Sequence, residues 1–239
     1  MIHRSATSGW VLGLAIILGM SVIVMNAAPA YAAEPVKAEA KKKKKMSPKR
    51  LYLRRTCIAC HGRNGARAIQ DYPNIAGQNP KYMIRQMKDI LKGKRKGSPD
   101  ATGNPRSESM RGSLVTPEGQ HRITKEEVKV VSEWLAGLPP AKPVPLETPL
   151  TEDQLKKAAK LFKKKCQSCH GKEGKKTKIK DYPIIAGQKR NYIVTQITDI
   201  RSKARKHGKT ATMIAFVKKL TDEQIALLAD YLSQIDRSK

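Results

Sequence analysis

The chain has 239 residues, enough for one large domain or two small ones. Aromatic residues make up only 5%, with two Phe and two Trp, so a pair of small domains needs something other than ring side chains to fill its cores. Lys and Arg outnumber Asp and Glu by 48 to 20, a net charge of +28, which excludes an acidic, self-solvating protein and points to an anionic partner or surface.

Residues 1–32 have the layout of an export signal: His3 and Arg4, an apolar run from Trp10 to Met25, then Ala30-Tyr31-Ala32 ahead of cleavage. An uncleaved anchor is the competing reading, since the run falls slightly short of the ~17–25 residues that span a bilayer. Either reading places the folded part outside the cytoplasm, away from chromosomal nucleic acid, so the charge is not read as nucleic-acid binding. Residues 33–46 combine Ala, Glu, Pro and Lys with little to bury, and disorder is expected there. Within them, Lys41 to Lys45 reads either as a solvated tail or as a basic arm for an anionic membrane surface or acidic partner.

Ser47-Pro48 marks a helix start and is followed by Cys57-Ile58-Ala59-Cys60-His61. After the segment Asp71-Tyr72-Pro73-Asn74-Ile75-Ala76-Gly77-Gln78, Asn79-Pro80 opens a helix to about Leu91. Tyr82, Met83, Gln86, Met87 and Ile90 lie at helical spacing on it. Thr124 with Glu127 is a capping box that opens an apolar face of Val128, Val131, Trp134, Leu135 and Leu138. Five prolines between 139 and 149 then predict an extended, semi-rigid spacer.

The same order returns beyond the spacer. Thr151 with Gln154 is a capping box, and Cys166-Gln167-Ser168-Cys169-His170 repeats the cysteine motif at an offset of 109. Asp181-Tyr182-Pro183-Ile184-Ile185-Ala186-Gly187-Gln188 repeats the later segment at an offset of 110, and residues 189–203 match the following helix. Thr221 with Gln224 opens Ile225, Leu228, Tyr231, Leu232 and Ile235, which match the earlier apolar face at an offset of 97. The chain is therefore a duplication, with units at 47–138 and 150–239 joined by 139–149. No alternating strand pattern is present, so the fold class is all-α.

Cys-x-x-Cys-His is the attachment signature of c-type haem: two thiols one short turn apart add to the two vinyl groups, and the adjacent imidazole ligates iron. A thioredoxin-like pair needs a surrounding α/β pattern that is missing, and two copies within a repeat argue against half a zinc site. Cys57, Cys60, Cys166 and Cys169 are thus expected to hold two covalently bound haem c groups, with His61 and His170 as proximal ligands. For the sixth ligand the second repeat offers Met213, with His207 as rival. The first offers Met110, Met83, Met87 and His121. Met83 and Met87 align with Ile193 and Ile197 and read as helix core. Met110 and Met213 both fall in loops before the final helices and are preferred. The carbonyls of Pro73 and Pro183 are expected acceptors for the second ring nitrogens of the two histidines. Gln78, Gln188, Tyr82 and Tyr192 read either as propionate contacts or as helix caps and core tyrosines.

Together the paired Cys-x-x-Cys-His motifs, the Tyr-Pro-x-Ile-Ala-Gly-Gln segments, Met110, Met213 and the paired final helices resemble the dihaem cytochrome c4 family. The resemblance spans about residues 47–237. It implies a tandem duplication of a class I cytochrome c domain, related by a pseudo-twofold axis, with iron ligated by His61 and Met110 and by His170 and Met213. It also implies periplasmic single-electron transfer between acidic-faced redox proteins. The donor would be a cytochrome bc complex or a small periplasmic carrier, and the acceptor a terminal oxidase. The competing functions are a dihaem enzyme, a peroxidase or thio-compound oxidase with one open or non-Met haem, and a membrane-anchored oxidase subunit. Two local departures stand out. Class I domains carry a small residue eight positions before the first cysteine, where Ala158 conforms and Lys49 does not. The segment Ser113–Arg122 is also longer than expected, which suits a partner contact or a cover for the haem edge.

Overall fold

The computed structural model describes residues 46–100, 103–179 and 181–238. The export segment, its anchor alternative and the Lys41–Lys45 run lie outside the described residues. The expected disorder of 33–46 does so too except at Met46, which packs against the first repeat's core. The described residues form helices and turns with two isolated bridges and no strand.

The first repeat comprises α1 (Pro48–Arg54), α2 (Cys57–His61), α3 (Pro80–Leu91), α4 (Arg106–Leu114) and α5 (Lys125–Ala136). The second comprises α6 (Glu152–Lys165), α7 (Gln167–His170), a 3-10 turn (Lys172–Gly174), α8 (Arg190–Arg201), α9 (Thr210–Val217) and α10 (Asp222–Ser233). None of the described helices is long and apolar enough to cross a membrane. Local chemistry sets the starts. Both hydrogen bonds of the capping box form at Thr124, Thr151 and Thr221, and Asn79 caps α3 ahead of Pro80. Each such cap contributes about 1 kcal/mol. α8 has Lys189 in the matching place and no side-chain cap.

In each repeat the first helix packs across the last, α1 on α5 and α6 on α10. The first core is built from Leu51, Tyr52, Met83, Val131 and Leu135, with the Tyr52 and Trp134 rings 5.4 Å apart. In the second, Phe162 meets Tyr231 at 6.1 Å over Ile197, Leu228 and Leu232. Tyr52 and Phe162 therefore occupy matching places. Four residues separate Tyr52 from Cys57, but only three separate Phe162 from Cys166. The extra residue ends α1 early and puts Thr56 in the left-handed region at φ 56°, whereas α6 runs on to Lys165. This answers the Lys49 discrepancy. The position matching fully buried Ala158 is Pro48, Lys49 faces solvent, and the crossing is intact through Leu51 and Tyr52.

Residues 115–123 have only a three-residue counterpart, 218–220, in the second repeat. They fold as a tight turn bridged between Val115 and His121, and they bury Val115 and Ile123 with Leu91, Leu114 and Val128. Burying two such side chains contributes about 3–6 kcal/mol, which fixes the turn in place. One expectation is corrected. Met110 and Met213 lie on helices α4 and α9, not in loops. Pro105 supplies the fixed φ that starts α4, and α9 is short and apolar on most sides, so neither shows helical periodicity in the sequence.

Candidate functional site

The short helices α2 and α7 present the paired cysteines and end at Gly62 and Gly171, whose φ values of 73° and 76° let the chain turn back. The returning segments pass beneath the histidines. His61 Nδ1 donates to Pro73 O at 2.9 Å and His170 Nδ1 to Pro183 O at 3.0 Å. Since a carbonyl only accepts, each Nδ1 carries the proton and each Nε2 keeps its lone pair. Burial holds both imidazoles below their ordinary pKa, against the opposing effect of the proline carbonyls, so both are neutral donors. Burial also pushes the Cys57 thiol up to about 11 and the Cys166 thiol up to about 12. A catalytic dithiol requires a depressed value, so the cysteines suit covalent attachment and not redox exchange.

His61 and His170 open onto a cavity of about 240 Å³ that extends through both repeats. Cys57, Cys166 and Cys169 line it, with Cys60 half-buried three residues along α2. Its walls are apolar, formed by residues such as Ile75, Ile90, Val131, Leu135, Ile193, Val217 and Leu228. Met83, Met87, Met110 and Met213 all border it, while His121 and His207 do not. His207 is instead buried with Nε2 3.6 Å from Asp89 Oδ2. Burial, reinforced by Arg205, Arg95 and Arg85, brings its pKa down to about 4. Met110 and Met213 stand on matching helices, whereas Met83 and Met87 match isoleucines.

Gln78, Gln188, Tyr82 and Tyr192 also border the cavity, and the structure gives all four partners across the repeat boundary. Gln78 Nε2 donates to Ile184 O and its Oε1 accepts from Ile184 N, both at 2.8 Å. Gln188 mirrors this on Asn74, at 2.8 Å to the carbonyl and 2.9 Å from the amide. Arg95 Nη2 donates to Tyr192 Oη at 3.0 Å and Gln196 Oε1 at 3.2 Å. Its counterpart Arg205 donates to Gln86 Oε1 at 2.9 Å and Tyr82 Oη at 3.4 Å. Every pair is related by the same offset of 110, so the pseudo-twofold relation is written into the hydrogen bonds. Sequence reasoning missed the two arginines. The repeat offset would have found them, because Arg95 and Arg205 match where most surface charges do not.

A buried guanidinium needs an anionic or polar partner at each donor, and Arg205 Nε has no protein partner. Thiols, two Nε2 lone pairs, thioethers and arginines line one cavity, a donor set that fits two haems: the cysteines and histidines would hold them, and Arg95 and Arg205 would supply positive charge for their carboxylates.

The cytochrome c family model matches residues 29–139 and 155–236. Cytochrome c4 of Azotobacter vinelandii is 30% identical over 183 residues, covering 74% of this chain and 82% of the relative. The chain is a member of the dihaem cytochrome c4 family. The crystal structure of reduced recombinant cytochrome c4 from Pseudomonas stutzeri shares the fold at a TM-score of 0.61 and 24% identity, covering 79% of this chain and 96% of that one. A Stutzerimonas stutzeri protein named thiosulfate dehydrogenase electron acceptor is 22% identical over 190 residues, covering 77% of this chain and 80% of its own. As a cytochrome c4, the chain carries two covalently bound haem c groups and acts as an electron carrier, not an enzyme.

Proposed function

We propose that this cytochrome c4 is exported to the periplasm and shuttles single electrons there, with His61 and Met110 ligating one iron and His170 and Met213 the other. When bound, each haem supplies one reversible electron, and a thioether opposite an imidazole favours the ferrous state. The observation that carries the assignment is that Met110 and Met213 border the cavity from matching helices, while both histidines are oriented by proline carbonyls. Those Nδ1 bonds fix the ring planes and strengthen Nε2 as a donor.

Met110→Ala and Met213→Ala are each expected to remove about half of the near-infrared sulfur-to-iron band of the ferric protein, and the double variant all of it. Full intensity in Met110→Ala, with loss in Met83→Ala or Met87→Ala, would transfer the ligand role to α3.

On the partner side, the net charge of +28 supports docking to acidic faces. The donor is read as a cytochrome bc complex or a small periplasmic carrier and the acceptor as a terminal oxidase. The relative named as a thiosulfate dehydrogenase electron acceptor favours a second donor, a thiosulfate-oxidising enzyme. Stopped-flow electron transfer with an acidic partner should slow by about tenfold or more as ionic strength rises from about 0.01 to 0.15 M. A salt-independent rate would remove electrostatic steering from this account.

A further inference from the structure

Among the places where the two repeats differ in length are two that are far apart in sequence: the extra residue between α1 and α2, and the longer segment after α4. In space these meet. They enclose a second cavity of about 100 Å³ lined by Arg54, Arg55, Thr56, Ser113, Leu114 and Arg122. The added residue ends α1 and leaves Arg54, Arg55 and left-handed Thr56 on one wall. The bridged turn, through Arg122 N to Leu114 O at 2.8 Å, brings Arg122 to the other.

Three arginines thus line one small space. Arg55 Nη2 meets both carboxylate oxygens of Glu127 at 2.7 Å, yet its Nε is buried with no hydrogen-bond partner. Arg54 and Arg122 form no salt bridge among the described residues. Glu127 is already committed: burial opposes its ionisation, but Arg55 and the Thr124 amide outweigh this and hold its pKa below the usual carboxylate range. With Glu118 facing Arg122 on its own turn and Glu127 facing Arg55 and Arg54, the three arginines exceed the nearby carboxylates by one positive charge. The space is less than half the size of the first cavity, which suits a compact ion. Guanidinium forks suit tetrahedral oxyanions, which accept several charge-assisted bonds at once.

We propose that this pocket binds one tetrahedral oxyanion of the phosphate or sulfate class. Bound there, the ion joins the segment leading into Cys57 to the end of α4. Ser113 on that wall lies one turn along α4 from Met110, its Oγ donating to Met110 O at 2.8 Å. The second repeat has no equivalent, since α6 is continuous and only 218–220 follow α9.

The test is calorimetric titration of the holoprotein with inorganic phosphate, sulfate and acetate at constant ionic strength, alongside thermal unfolding. One site per chain and a saturable rise in Tm are expected with phosphate or sulfate, and the tighter of the two names the favoured ion. Arg122→Gln, on an exposed turn, and Arg54→Gln should each weaken binding at least tenfold, while Lys163→Gln on α6 leaves it unchanged. Phosphate indistinguishable from chloride, undiminished binding in Arg122→Gln, or acetate binding as tightly as phosphate would each overturn the assignment.

Discussion

A Gly171→Ala chain is expected to reach maturity with about one haem in place of two. Gly171 follows the second Cys-x-x-Cys-His motif at φ 76°, and an added Cβ would stand 1.8 Å from Lys176 O. At φ 76° and ψ 179° the backbone lies in a region essentially reserved for glycine, which alone costs an alanine about 1–3 kcal/mol. The backbone clash adds to it, because the segment that must yield is held at both ends. Lys178 N bonds Cys169 O at 3.4 Å, and Ile185 N and Ala186 N bond Gly174 O at 3.1 and 3.2 Å. This returning segment brings Pro183 O to His170 Nδ1, so displacing it releases the imidazole from the orientation in which its Nε2 faces the cavity. A total loss above about 3 kcal/mol is expected, confined to the second repeat. Gly62→Ala does the same to the first, where the Cβ would meet Arg67 O at 2.3 Å. Gly112→Ala is the control: it lies within α4 with nothing within 4 Å, and should be neutral or stabilising by up to about 1 kcal/mol. Haem-to-protein stoichiometry from absorbance, with thermal unfolding of each variant, checks all three. Two haems and an unchanged Tm in Gly171→Ala would contradict the argument.

Much of this site was legible because its chemistry is local. The Cys-x-x-Cys-His spacing is a property of one turn, and the proline carbonyls follow from the repeated Asp-Tyr-Pro segment after each histidine. Caps at Thr124, Thr151 and Thr221 were equally readable, since each depends on two residues three apart. The helices carrying Met110 and Met213 were not, because α4 and α9 take their shape from the cavity they border and show no amphipathic period. The partners of Gln78, Gln188, Tyr82 and Tyr192 were hidden for a different reason. Their contacts lie 97 to 123 residues away in sequence, and no local pattern specifies which backbone a carboxamide will meet.

That boundary is where the second large effect is expected, in Arg205→Leu. Arg205 is 5% exposed and bonds Gln86 and Tyr82 of the other repeat while also meeting Gln196 of its own. Leucine fills part of the volume but leaves the Gln86 carbonyl, itself 6% exposed, without its donor. Leaving a buried acceptor without its charged donor costs about 1–3 kcal/mol for each such group, and here the loss falls mainly on the contact between repeats. Each repeat keeps its own core, Leu51 and Tyr52 against Val131 in one and Phe162 against Leu228 in the other. The expected calorimetric result is therefore a split of one unfolding transition into two, one for each repeat. Arg205→Lys should not restore the single transition, because one ammonium cannot reach Tyr82, Gln86 and Gln196 together as the planar fork does. Arg95→Leu should reproduce the split through Tyr192 and Gln196, since the repeat offset makes it the same substitution seen from the other side. A single transition at the wild-type temperature in both variants would mean that the other cross-repeat bonds, those of Gln78, Gln188, Arg85 and Asp199 among them, hold the repeats together without the two arginines.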